Sequence, residues 1–337
     1  MTITTLGIDL AKTSFQVHGA DARGNKVLAK SLTRTKMIEF IAKLPPCTIA
    51  MEACGSSHHF GRKFTLMGHT VKMIAPQYVK PFVKTQKNDR NDAEAIVEAS
   101  LRPSMHFVAI KTVEQQDLQF LHRVRQRLVA ARTALINEMR GTLAEYGIVI
   151  AMGPANLKKA LPIVLSTSSE LTSNLRLLIE DLSVELAQME DRITKMDKKI
   201  EAIFKASESA QRIAEIEGVG VLTATAIVAA VGDAKQFKNS RQMSAWLGLV
   251  PRQNSTGGRT TLLGITKRGD RYLRMLLIHG GRAAVRAAQN KADARAEWIK
   301  DKALRRGNNR AAVAVANKNA RIIWKLLSSG ESYKKAG

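Results

Sequence analysis

The sequence predicts an α/β domain built on a mixed sheet, followed by a longer and mainly helical region. Three observations carry that expectation. Short apolar runs alternate with helical patterns only in the first hundred residues. From about Val113 onward, apolar residues recur at steps of three and four over long stretches. Hydrophobic residues make up 45% of the 337, enough to bury the cores of two domains or of one domain with a long helical insertion.

In order along the chain, Thr4 to Leu10, Phe15 to Ala20 and Lys26 to Leu32 read as strands. Short polar or glycine-bearing turns join them, which suits an antiparallel meander. Lys36 to Leu44 reads as a helix ended by Pro45 and Pro46. Thr48 to Ala53 is a fourth strand, His58 to Met67 a helix and Val71 to Ala75 a fifth strand. A last helix begins near Asp89 and runs to about Leu101, before Pro103. Three strands, helix, strand, helix, strand, helix imply a mixed sheet carrying helices, and this is the element order of the RNase H-like fold.

Leu121, Val124, Leu128, Ala131, Leu135 and Met139 then form one heptad-like stripe. A second runs through Leu171, Leu175, Leu178, Leu182, Met189, Ile193, Met196, Ile200 and Ile203. With a turn expected around Gly153 to Pro162, the pattern predicts two long helices in an antiparallel hairpin, as a coiled coil or as part of an ordinary bundle. A third region starts near Arg212 and is helical in pattern apart from a polar, glycine-rich stretch at Arg252 to Gly264. The expected divisions are 1–108, 109–208 and 209–332, with 333–337 as a tail.

Lys and Arg total 53 against 29 Asp and Glu, a net charge of +24, and residues 251–337 alone hold 20 cations against five acids. Such an excess favours a polyanion as partner, because each neutralised phosphate releases condensed counterions. A membrane would need an amphipathic anchor, a span of ~20 apolar residues or a signal peptide, and the sequence has none of these patterns. Two cysteines, Cys47 and Cys54, are too few for a disulfide or zinc framework and suggest a reduced cytoplasmic protein.

Asp9 lies near the end of the first strand and Glu52 near the end of the fourth, and these strands are neighbours in an RNase H-like sheet. Asp89 and Asp92 lie three apart at a helix start, on a face continued by Ile96 and Ala99. Four acids at one sheet end would repel unless a cation sat among them, and hard oxygen donors suit Mg²⁺. Singly each has a plainer role, as helix cap, strand end or turn former. A sugar-kinase or actin-like ATPase also opens with Gly-Ile-Asp, but needs further glycine-rich phosphate loops that are missing after residue 110.

Ile216-Glu-Gly218-Val-Gly220 followed by an apolar run resembles a helix-hairpin-helix, whose glycines and helix start can hold a phosphate. Ser255-Thr256-Gly257-Gly258 lies in a flexible loop between Arg252 and Arg259, with Lys267, Arg268, Arg271 and Arg274 following. A serine among such cations has the setting of a phosphoryl-transfer nucleophile, although a polar loop that caps turns or merely grips phosphate fits the same composition.

Taken together, six motifs resemble the DEDD insertion-sequence transposases, the group that includes pilin-gene invertase, and their eleven-eleven subgroup in particular. They are Gly7-Ile-Asp9, Met51-Glu52-Ala53, Lys87-Asn-Asp89-Arg-Asn-Asp92-Ala93, Gly248-Leu-Val-Pro251-Arg252, Ser255-Thr-Gly-Gly and Thr266-Lys-Arg-Gly-Asp270-Arg-Tyr-Leu-Arg274. Singly weak, they are highly specific in this order and span both ends of the chain. The resemblance implies a RuvC-like catalytic domain whose acidic tetrad matches Asp9, Glu52, Asp89 and Asp92 and holds Mg²⁺ or Mn²⁺. It also implies a C-terminal transposase domain whose serine becomes covalently joined to DNA. Counting back from Thr266-Lys267 selects Ser255 for that serine; counting forward from Pro251 favours Thr256. Donor and target duplexes, a structured element-encoded guide (bridge) RNA, and dimers assembling into tetramers belong to the same expectation, as does a nucleoid-associated location.

The first expectation is therefore an RNA-guided DNA recombinase. A junction-resolving nuclease using water would survive Ser255→Ala, and a non-catalytic architectural binder would bind DNA equally well after Asp9→Ala.

Overall fold

The computed structural model describes residues 2–84 and 89–334; the Asp89 side chain lies outside the description, as do Lys87 and Asn88 of the third motif. The chain divides into two compact units, Met1–Val113 and Glu114–Gly337.

In the first unit, β1 (Thr5–Asp9), β2 (Ser14–Ala20) and β3 (Lys26–Thr33) form the antiparallel meander. After α1 (Arg34–Ala42), β4 (Thr48–Glu52) pairs parallel to β1. After α2 (Ser57–Leu66), β5 (Thr70–Ile74) pairs parallel to β4. The short α3 (Pro76–Val79), α4 (Asp89–Ser100) and β6 (Phe107–Val108) complete the unit, and the sheet order is β3-β2-β1-β4-β5-β6. This mixed sheet is consistent with an RNase H-like domain. Two short elements, α3 and β6, escape the sequence patterns because four and two residues are too few to display a period.

Strand alternation sorts the two faces. Leu6, Ile8, Ile49 and Met51 turn to one side, where they bury Met37 and Ile41 of α1 and Phe60 and Phe64 of α2. Ala50 and Ile74 turn to the other, against Ala95, Ile96 and Ala99 of α4. Helix α4 lies close upon β1: a Cβ at Gly7 would stand 2.5 Å from the Ala93 carbonyl oxygen.

The second unit opens with α5 (Val113–Glu145), α6 (Pro154–Thr167) and α7 (Ser173–Ala206). Helices α5 and α7 run antiparallel. Arg125, early in α5, pairs with Asp197, late in α7, while Leu143 shares a core with Leu175 and Ile179. Leu157 and Leu161 of α6 enter the same core, so three helices build it. The turn expected at Gly153 to Pro162 is thus a correction: Gly153 and Pro154 begin a helix there. Proline at the first helical position loses no hydrogen bond, and Pro162 is accommodated farther in. The buried residues of α7 are Leu175, Ile179, Leu186, Ile193 and Ile200, the last four at a seven-residue spacing, while Leu178 of the expected stripe is exposed.

Next come α8 (Glu208–Ala214), α9 (Val221–Val231) and α10 (Ser240–Trp246), then a two-stranded ribbon of β7 (Pro251–Thr256) and β8 (Arg259–Ile265). Helices α11 (Arg271–Ala288), α12 (Ala294–Arg306) and α13 (Asn308–Ser329) close the unit. Among the described residues, no helix is long and apolar enough to cross a membrane.

Candidate functional site

The acidic edge is built by register. Ile8 lies opposite Met51 in the parallel pair, so the next residues, Asp9 and Glu52, end neighbouring strands side by side. Asp9 has the parity of Gly7, and Glu52 that of Ala50, so both face the α4 side. The far end of α4 brings Leu101 to within 3.4 Å of a Cβ at Gly24, in the β2–β3 turn. That turn is opposite the Asp9 end of β1, so α4 runs against β1 and its first turn lies toward Asp9. Asp92, half-buried, belongs to that first turn, and Asp89 begins it. Ile96 and Ala99 are fully buried, which fixes the rotation of the helix.

Two carboxylate fields meet at Cys54. Partial desolvation first, then the charges of Glu52 and Asp9, push its thiol above the usual cysteine value. Among the described residues, no three His, Cys, Asp or Glu side chains stand close enough to hold a metal ion. The Asp89 carboxylate, one of the four expected ligands, lies outside the described residues. Both cysteines are free, Cys47 buried and Cys54 exposed.

In the second unit the glycine-rich stretch is no flexible loop, which corrects the sequence expectation. Ser255 pairs with Thr260 and Thr256 with Arg259, and Gly257 and Gly258 make the two-residue turn. Both have positive φ, 54° and 75°, as a type I′ hairpin turn demands. Polar residues on both faces hid the strand alternation, because neither face of this ribbon is buried. Ser255 is exposed, and its Oγ accepts a hydrogen bond from Gln253 Nε2 at 2.7 Å.

The ribbon is solvated along its length but its base is locked. Thr266 N–H donates to Val250 C=O at 2.8 Å and Lys267 N–H to Gly248 C=O at 3.1 Å. A Cβ at Gly248 would overlap the Arg268 carbonyl oxygen, and one at Gly269 the Trp246 carbonyl oxygen, so the two segments cross backbone on backbone. Asn317 of α13 donates to Leu249 C=O at 3.1 Å. Asp270 caps α11, accepting from the Tyr272 and Leu273 N–H groups.

The expected phosphate ligands separate into two groups. Arg252, Arg259, Lys267, Arg268 and Arg271 are exposed on or beside the ribbon, around Ser255. Arg274 is only 9% exposed, and its Nη1 donates to the carbonyls of Leu247, Arg268 and Gly269 at 3.2, 3.4 and 3.5 Å. Its guanidinium is committed to the ribbon's base. Gly218 is similarly engaged: a Cβ there would stand 2.6 Å from the Gly280 carbonyl oxygen of α11, so close packing accounts for the glycine. Gly220, the N-cap of α9, is exposed with open space beside it.

One polar network has no sequence signature. Thr225 Oγ1 donates to Val221 C=O at 2.7 Å, which leaves it to accept from His122 Nε2–H at 3.0 Å. His122 Nδ1 then accepts from the Tyr272 hydroxyl at 3.0 Å. The network joins α5, α9 and α11, and burial together with Arg125 pushes His122 down to about 4. Tyr272 stands inside a motif and Thr225 in the apolar run after Gly220, but neither signals this contact, and His122 looks like an ordinary helix residue until the three helices meet.

A mixed sheet with carboxylates paired at the ends of its two central strands, in a chain that also carries a strongly basic helical unit, fits the class of proteins that act on nucleic acid. Comparison with known proteins narrows that class. Residues 210–297 match the family described as "Transposase IS116/IS110/IS902 family", and residues 6–148 match a second family description, "Transposase", of the DEDD type of IS110 elements. A "Probable family 20 transposase" of Pseudomonas aeruginosa is 49% identical over 99% of both chains. The transposase for insertion sequence element IS1111A of Coxiella burnetii is 48% identical over 98% of this chain and 92% of its own. That for IS1328 of Yersinia enterocolitica is 40% identical over 99% of both. The chain belongs to the IS110/IS116/IS902 family of DEDD insertion-sequence transposases, and is thus a DNA-processing enzyme.

Proposed function

We propose that this transposase cuts and rejoins donor and target DNA through a covalent phosphoserine intermediate formed on Ser255. The observation that carries the reading is an exposed serine hydroxyl on a ribbon whose base is pinned by Gly248, Gly269 and Arg274. A nucleophile must reach into a bound duplex yet stay oriented, and a projecting ribbon on a fixed base meets both needs. The Ser255 Oγ–phosphorus bond forms as one phosphodiester P–O bond breaks, and the departing strand takes up a proton as a hydroxyl. Attack by a strand hydroxyl then restores Ser255 and seals the new junction without ATP. Arg252, Arg259, Lys267, Arg268 and Arg271 are suited to holding the backbone and offsetting charge on the reacting phosphate.

The paired carboxylates supply hard oxygen donors, so Asp9, Glu52, Asp89 and Asp92 would hold Mg²⁺ or Mn²⁺. Bound there, the ion would neutralise charge on phosphodiester oxygens. A structured RNA that selects both duplexes, and a dimer that assembles to a tetramer, complete the proposal.

Purified protein incubated with both duplexes, Mg²⁺ and the flanking non-coding RNA should give a protein–DNA adduct on denaturing gels. Ser255→Ala should abolish it and Thr256→Ala should retain it; omission of the RNA should prevent it. Cleaved DNA without any adduct would show that water is the nucleophile and would remove Ser255 from that role.

A further inference from the structure

A cavity of about 580 Å³ opens between α12, α13 and the segment after α13, and it shares no residue with the ribbon. That volume suits a ligand the size of one nucleotide. Ala294, Ile322 and Leu326 supply apolar lining. Tyr333, half-buried against the same core, forms one wall.

Four cations line the cavity, Arg295, Lys318, Lys325 and Lys334, against a single carboxylate, Glu331. Lys325 occupies that carboxylate at 3.4 Å. Arg295 is turned to the protein, its Nη2 donating to Asn319 Oδ1 at 2.6 Å and to Glu217 C=O at 3.3 Å. Lys318 lies 4.2 Å over the Trp298 ring, and among the described residues no carboxylate pairs with it or with Lys334. A solvated basic face would leave its lysines in water; here Lys318 is partly buried, and burial first, then Arg295, lower its affinity for a proton. An anion in the cavity relieves that cost.

The geometry points to a nucleotide subsite: one unpaired nucleotide of a bound strand places its base against the apolar lining beside Tyr333 and its phosphate between Lys318 and Lys334. Aromatic and apolar surface accepts any base, and the ammonium groups accept the phosphate, so DNA and RNA strands share the recognised chemistry. The inference rests on the nucleic-acid-processing function above and adds a strand-holding place separate from the reacting ribbon.

The test is fluorescence anisotropy with the full chain over a range of salt. The probes are labelled strands of ten thymidines or ten uridines and a blunt DNA duplex. Lys318→Gln and Lys334→Gln should each weaken single-strand binding about fivefold to tenfold and reduce the salt slope by about 0.7. Tyr333→Ala should weaken it about tenfold with the slope unchanged. Lys318→Arg should restore most of the loss, and the exposed Lys198→Gln of α7 should have little effect. The blunt duplex should be nearly indifferent to the cavity variants, and the strand that loses more identifies the source of the nucleotide. Thermal melts check folding, and exposed Lys334 keeps the test valid should a Lys318 variant unfold. Cavity variants that behave like Lys198→Gln while wild type binds would overturn the subsite and leave the transposase function standing. Equal losses on duplex and single strand would overturn the unpaired-nucleotide assignment. Wild type that binds the duplex but neither single strand would likewise overturn the subsite and leave the transposase function standing.

Discussion

Gly218 and Gly280 meet backbone to backbone, and the second glycine makes a quantitative case. Within helix α11 an alanine at Gly280 would gain ~1 kcal/mol of helix propensity. Its Cβ would overlap the Gly218 carbonyl oxygen, a backbone atom that cannot swing aside, and overpacking of this kind costs about 2–3 kcal/mol. Gly280→Ala should therefore lower the thermal unfolding midpoint despite the better helix former; a raised midpoint would contradict the packing. Arg274→Ala strips three carbonyls of their donor, at a cost of about 2–4 kcal/mol, and should reduce adduct formation through a displaced ribbon. Arg274 and Gly218 both show how far residue type carries an inference. Guanidinium and glycine suit phosphate, but they suit buried carbonyls and close backbones equally, and only packing decides. Asp9 and Glu52 were legible because strand order alone makes them neighbours.

At the scale of elements, the ribbon β7–β8 stands on its base and buries none of its own strand residues except at Ile265, which packs against the core. Its stability is therefore local. Replacing Gly257-Gly258 with Ala-Ala puts two L side chains at positive φ, which a type I′ turn resists. Hydrogen exchange at Arg259 and Thr261, whose N–H groups face β7 in the alternating ladder, should accelerate, while the global unfolding midpoint should stay near wild type. A matching fall in both would mean that the ribbon is integrated into the core. The strands of the first unit were readable because each has a buried face that imposes alternation. The ribbon was not, since polar Gln253, Ser255, Thr260 and Thr261 carry no period. Helix α6 was missed for another reason: Gly153 and Pro154 mark a helix start as readily as a turn.

Across the whole molecule, each unit holds a histidine, half-buried His58 in the first and buried His122 in the second, that folding keeps neutral. His58, whose Nδ1 accepts the Lys111 N–H at 3.1 Å, and His122 are both lowered to about 4, by burial first and then by nearby cations. Their folded-state values lie below the ordinary imidazole value, so the unfolded chain binds more protons between about 6.5 and 4. The stability they contribute is fully present above that window and lost as pH falls through it. Both units should weaken on acidification from neutrality to pH 4, and His122→Gln should flatten that response for the second unit alone. The charge balance of +24 bears instead on binding: affinity for DNA should fall steeply and log-linearly with salt. The central claim is chemical, however, and peptide mapping tests it most directly. A trapped protein–DNA adduct, digested with nuclease and protease, should carry a phosphonucleotide on the peptide containing Ser255. The same mass on Thr256, on another residue or on no peptide would contradict the claim.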